Sequence, residues 1–244
     1  VKLLDKTIAG TDLNTALVSE GMFLRGQTAN LVSRVVDTAS GLESQNPDLN
    51  TFFFNYISSD NTTTEYGSGE ILEVYPSTTS IANIQVTAGG NGYVNTADSS
   101  NSLVVISSTN GGNATANIIT NANGTITSIT MNANGSGFTA DDYPTAKVTL
   151  NDGTEKTANA ASLRVNLTET MRVTVANNDL FKDAGGNTQF NVLGKSYQMS
   201  VGDGVIFQKG VFQNFKEQSI IVDKYTDKPH ERIVGIQTTE TTVN

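Results

Sequence analysis

Cysteine and tryptophan are both absent from this chain of 244 residues. The first absence excludes disulfides, thiolate nucleophiles and cysteine-ligated metal in one step, and it leaves the redox compartment open. Histidine occurs once, at His230 in Asp227-Lys228-Pro229-His230-Glu231-Arg232. A general base there lacks a nucleophile motif to serve, and a lone imidazole would leave every other metal ligand to be a carboxylate. No apolar run approaches the about 20 residues of a membrane-spanning helix, and no basic stretch precedes a shorter apolar one as in a secretion signal. The chain is expected to be soluble and, since it opens on Val1 in strand-like sequence, to be a segment of a longer or processed polypeptide.

Charge is also scarce, at 16% of residues, which is low for an enzyme or a regulator. Positive charge is missing over the longest stretch. Between Arg34 and Lys147 there is no lysine or arginine, whereas that stretch holds ten acids, including Asp141 and Asp142. The net charge of −9 therefore belongs to the middle of the chain, which excludes nucleic acid and anionic membrane as partners there. Solubility is the ordinary role of such acidity.

What is present is a duplication with a period of 45 residues. Ile84-Gln85-Val86-Thr87-Ala88-Gly89-Gly90-Asn91-Gly92-Tyr93 returns as Ile129-Thr130-Met131-Asn132-Ala133-Asn134-Gly135-Ser136-Gly137-Phe138. Farther on, Leu103 and Val105 map onto Val148 and Leu150, and Ala116, Ile118 and Thr120 map onto Ala161, Leu163 and Val165. Repeats of this kind build architecture first. Four Asn-Gly dipeptides, at 91–92, 110–111, 123–124 and 134–135, join Asp152-Gly153 as two-residue turn signals. The clearest hairpin is Ile118–Ala122 and Thr125–Ile129 around Asn123-Gly124.

The flanks differ. Thr51–Ile57 and Glu70–Tyr75 are richer in aromatics and aliphatics and bracket a polar turn at Ser58–Ser68, while Leu163–Leu167, Met171–Val175 and Gly204–Phe207 alternate with a period of two, as half-buried strands do. The expected fold is all-β: an antiparallel, sandwich-like host domain formed by residues 1–79 and 167–244, with a separately folded β insert of two repeats at 80–166. One helical turn or two is expected between Thr11 and Glu20, with Asp12 as cap and Gly21 as stop. Glu20–Gly26 echoes Asp203–Gly210, each reading as a strand that enters a tight turn.

Few residues offer chemistry. Gly194-Lys195-Ser196 lacks the phosphate-loop glycine, since Gln189 stands in its place. The loop 179–187 lacks the alternating ligands of a calcium hand. Asp141-Asp142 in extended chain points its carboxylates to opposite faces, unsuited to glycoside hydrolysis. Tyr93 and Phe138 recur at matching places behind Gly-x-Gly turns. Exposed, they would be stacking platforms for a glycan; turned inward, each would plug the end of its own small core. No catalytic residue, cofactor or metal is expected.

Gly204–Phe212, Glu217–Thr226, Pro229 and Ile233–Gln237 with Glu240 resemble a segment of large virion structural proteins of T4-like cyanophages. The repeat is similar to the Gly-Ser-Gly-Tyr repeats of phage tail and fibre proteins, here Gly90-Asn91-Gly92-Tyr93 and Gly135-Ser136-Gly137-Phe138. Phe138 departs from the pattern's tyrosine, and its following proline is present only in the second copy, as Pro144. The resemblance implies a tail, baseplate or fibre component, assembled in the host cytoplasm. Its partners would be other virion proteins and further copies of itself, a trimer among the arrangements, with a host surface glycan as an alternative ligand. Without the resemblance, residues 204–236 read as a compact antiparallel meander.

Overall fold

The computed structural model describes residues 1, 3–4, 7–8, 11–12, 17–38, 51–58, 63–93, 102–150, 153–176, 194–224, 231 and 233–235. The fold is all-β, with every strand pair antiparallel. In chain order the strands are β1 (Thr7–Ile8), β2 (Thr11–Asp12), β3 (Phe23–Gly26), β4 (Val32–Thr38), β5 (Phe52–Ser58) and β6 (Ile71–Tyr75). The duplicated region contributes β7 (Ile81–Ala88), β8 (Ser102–Ser107), β9 (Gly112–Thr120), β10 (Ile126–Ser136), β11 (Thr145–Leu150) and β12 (Ser162–Leu167). There follow β13 (Met171–Thr174), β14 (Ser196–Val201), β15 (Gly204–Gln208), β16 (Val211–Phe215) and β17 (Gln218–Lys224). The expected helix does not begin at Asp12, because Asp12 pairs with Thr7 in a strand. Gly21 sits at φ 86°, so the glycine that suggested a helix stop serves the turn into β3.

The chain divides into two compact units, Val1–Val192 and Leu193–Asn244. The first holds a five-stranded sheet in the order β13-β6-β3-β4-β5, which joins chain from both sides of the duplication. Strand β6 lies between β13 and β3, and Leu72, Val74 and Tyr75 are buried with Glu73 among them. A carboxylate buried there requires partners. Glu73 accepts from the Tyr75 hydroxyl (2.6 Å) and Gln27 Nε2 (3.0 Å), with Arg172 at 3.7 Å. Burial first, and then the bond to Glu73, push the Tyr75 hydroxyl pKa up and keep it a donor. Buried Glu70 likewise accepts from the amides of Ala29 and Gly67, both at 2.7 Å, and so fixes the turn after β3. The Tyr66 hydroxyl donates to Leu24 O (3.0 Å) and lies 2.8 Å from Ser33 Oγ, which satisfies it within the core.

In the duplicated region the pairing is nested: β9 with β10, β8 with β11 and β7 with β12, enclosed in turn by β6 with β13. Each repeat therefore completes itself with strands of the other. Shifting by the 45-residue period carries the pair Leu103↔Thr149 onto Val148↔Val104, so an internal pseudo-two-fold passes through β8 and β11. The loops obey it as well. Tyr93 N donates to Gly124 O (2.9 Å), and at the equivalent place Phe138 N donates to Thr79 O (3.1 Å).

Two hydrophobic clusters follow from this symmetry. One gathers Tyr93, Ile118, Ile126 and Val148 within the duplicated region. The other holds Ile81, Ile84, Ala116, Phe138 and Val165 together with Phe23, Val32 and Tyr75 of the five-stranded sheet. The core thus runs across the expected boundary between 79 and 80, where a separately folded insert would have closed its own. A host domain continued to residue 244 differs from the observed division after 192, since among the described residues β14 to β17 pair only with one another. That second unit is nested too, β15 with β16 inside β14 with β17, in place of the expected meander.

Candidate functional site

Tyr93 and Phe138 are buried, at 4% and 1% exposure, each in a hydrophobic cluster. The Gly-x-Gly ahead of each explains why they turn inward. Gly90 and Gly135 have φ of 58° and 64°, and a Cβ on either would collide with facing backbone, the turn at Asn159–Ala161 for Gly90 and strand β9 for Gly135. The chain can therefore approach its neighbour closely before delivering the ring to the core. The rings are finished differently. Tyr93 accepts from Ala161 N through its hydroxyl (2.7 Å), and Lys156 Nζ lies 5.0 Å from its ring centroid. Gly111, equivalent to Lys156 by the repeat, instead lies against Phe138, where any side chain would strike the ring.

Asp141 and Asp142 do not act as a pair. Asp142 holds the loop between β8 and β9, accepting from Ser108 Oγ (3.0 Å), Asn110 N (3.1 Å) and Thr109 N. Burial alone would raise its pKa, but the donors led by Thr109 N outweigh it and the carboxyl is held below its usual range. Asp141 lines a cleft of about 150 Å³ with Arg25, Asn30, Val32, Ser58, Ala140 and Tyr143. There the Arg25 guanidinium stacks 3.9 Å from the Tyr143 ring centroid and donates from Nη2 to Asn30 Oδ1 (2.6 Å). Its Nη1 has no hydrogen-bond partner and is fully buried, out of reach of a molecule in the cleft. The Arg25–Tyr143 stack in this cleft joins the sheet to the repeat.

Gly194-Lys195-Ser196 leads into strand β14 and not into a helix, so no anion cradle forms. His230 and the loop 179–187 lie outside the described residues. Among the described residues no three metal-ligating side chains cluster.

The most unusual surface is in residues 193–244. No described side chain of this unit is buried. The hairpin of β15 and β16 closes through Lys209 and Gly210, both at positive φ (51° and 84°), which is the two-residue turn that matches strand twist. One face carries Val205, Phe207 and Phe212, exposed by 61%, 65% and 79%. Phe207 and Phe212 are cross-strand partners with ring centroids 5.0 Å apart. The other face carries Ile206 and Phe215, half buried, with the Phe215 ring over Gly204. On β14 and β17, Met199 and Ile220 face each other and are exposed by 42% and 55%. Strands apolar on both sides belong to an interior. Contiguous exposed rings mark a contact surface. The sequence displayed these strands, but their period of two places Ile206 and Phe215 inward, which hides that Phe207 and Phe212 face out. No family model, curated protein or solved structure matches the chain.

Proposed function

We propose that the chain is a structural component of a tailed-phage virion, working through protein contacts made by residues 193–244. The observation that carries this reading is a unit with no buried described side chain that nevertheless presents Val205, Phe207 and Phe212 to solvent. Two-stranded hairpins are marginal alone, and burying one such aromatic ring contributes about 1.5–3 kcal/mol. Covering this surface in an assembly supplies what the unit lacks. The likeness of Gly204–Phe212 and Glu217–Thr226 to cyanophage virion proteins supports the particle as the place of assembly. A glycan-recognition role finds no support in Tyr93 and Phe138, whose rings are inside.

A reconstruction of the source particle by electron microscopy tests the proposal. The expected result is density for the chain in repeated copies, with the Phe207 and Phe212 face covered by a neighbour. A particle that lacks the chain, or that leaves this face in solvent, overturns it.

A further inference from the structure

We infer that Asn91-Gly92 is a site of spontaneous covalent modification, where the Gly92 amide nitrogen closes onto the Asn91 side chain. Asparagine ahead of glycine is the pair for this reaction, because no Cβ on the second residue blocks the approach. The bond from Gly92 N to Asn91 Cγ forms as the Cγ–Nδ2 bond breaks, and Nδ2 leaves as ammonia with the proton that Gly92 gives up. Water then opens the succinimide at either carbonyl. The products are aspartate and isoaspartate, each with a negative charge that asparagine lacks.

Four Asn-Gly pairs share this chemistry in sequence, and the fold withholds it from three. Gly124 is buried and its N–H donates to Asn121 O (3.0 Å), while Asn123 N is tied to Asn121 Oδ1 (3.0 Å). Gly111 N donates to Ser108 Oγ (3.1 Å), and Asn110 Nδ2 to Thr139 Oγ1 (3.4 Å). Asn134-Gly135 lies inside β10, where pairing of Asn134 with Ala114 and of Ser136 with Gly112 fixes the backbone that would have to rotate. At 91–92 these restraints are missing. Both residues are exposed, and among the described residues neither Gly92 N nor the Asn91 side chain has a hydrogen-bond partner. Lys156 Nζ donates to Gly92 O (3.1 Å), a positive charge beside the anion that forms when Gly92 N loses its proton. The repeat supplies a control, since Ser136 stands at the place of Asn91 and cannot form the ring. Isoaspartate carries an extra methylene in the main chain close ahead of Tyr93, whose ring packs with Ile118, Ile126 and Val148.

Incubation of the full folded chain in mildly alkaline buffer, followed by peptide mapping with mass spectrometry, tests this. Chymotrypsin serves for the digest, because trypsin has no site between Arg34 and Lys147. Asn91 should convert faster than any other Asn-Gly pair by about fivefold or more, the factor that one hydrogen bond on the attacking amide is worth. In urea the ranking should vanish, since the unfolded pairs are equally free. Asn91→Ser, which carries the residue that the second repeat has there, should lose most of the acidic species that anion exchange resolves in aged wild type. A different pair leading in the folded chain, a ranking that survives urea, or an Asn91→Ser chain that acquires acidic species as fast as the wild type overturns the inference.

Discussion

At Gly135 two constraints coincide: a φ of 64° and a facing backbone too close for any side chain. Gly153 shares the positive φ, at 79°, but has open space around it. Gly135→Ala should therefore lower stability by about 1–3 kcal/mol, and Gly153→Ala by less, because only backbone conformation is lost there. Urea denaturation of both variants checks the order, and equal losses would show that the close approach is unimportant. Asp142 gives a pH-dependent case. Its folded pKa is depressed, so its stabilising effect is present above the unfolded value of about 3.9 and is lost as pH falls through the folded value. Asp142→Asn should lower the urea midpoint at neutral pH, and the gap from wild type should shrink towards pH ~3. The Gly-x-Gly-aromatic motif was legible in the sequence as a repeat. Which way its ring pointed was not, since that depends on how near the facing strand lies.

Among the elements, the strands were legible and most of the pairing was not. Strand β6 stands where the apolar segment Glu70–Tyr75 puts it, and the pair β9 and β10 where the Asn123-Gly124 signal does. The turn itself is longer than two residues: Gly124 N donates to Asn121 O (3.0 Å), while Asn121 Oδ1 accepts from Asn123 N and Thr125 N, both at 3.0 Å. Asn134-Gly135 lies within β10 and makes no turn, because a positive φ serves a distorted strand as well as a hairpin. Sequence alternation marks a strand without naming its partner, which is why the exchange between repeats and the nesting were hidden. A shared core changes what deletion should do. Replacing 80–166 by a short linker would strip Phe23, Val32 and Tyr75 of the residues that cover them. The deletion variant is expected to lose cooperative unfolding in calorimetry, and a sharp transition near that of the wild type would show that the sheet stands alone.

For the molecule as a whole, stability should be unequal between the two units. Leu24, Leu72 and Val74 have no exposed surface, whereas β14 to β17 bury no described side chain. In dilute solution the amides of residues 196–224 should exchange with deuterium much faster than those of β6, and they should gain protection in the assembled state. Equal protection in dilute solution would mean that the second unit has a core of its own. The nested pairing also predicts an order of folding. The inner turn at Asn121–Thr125 closes a short loop, and each further rung from β8·β11 to β6·β13 joins ends that the preceding rung has already drawn together. Partners about a hundred residues apart in sequence can thus meet at the small entropic cost of local contacts. Asn121→Ala should slow refolding by nearly its whole stability loss of about 1 kcal/mol, whereas Val173→Ala in the outermost rung should mainly hasten unfolding. With no tryptophan to report, stopped-flow circular dichroism would follow both, and a nascent chain would have to await its last strand before the outer rungs could zip shut.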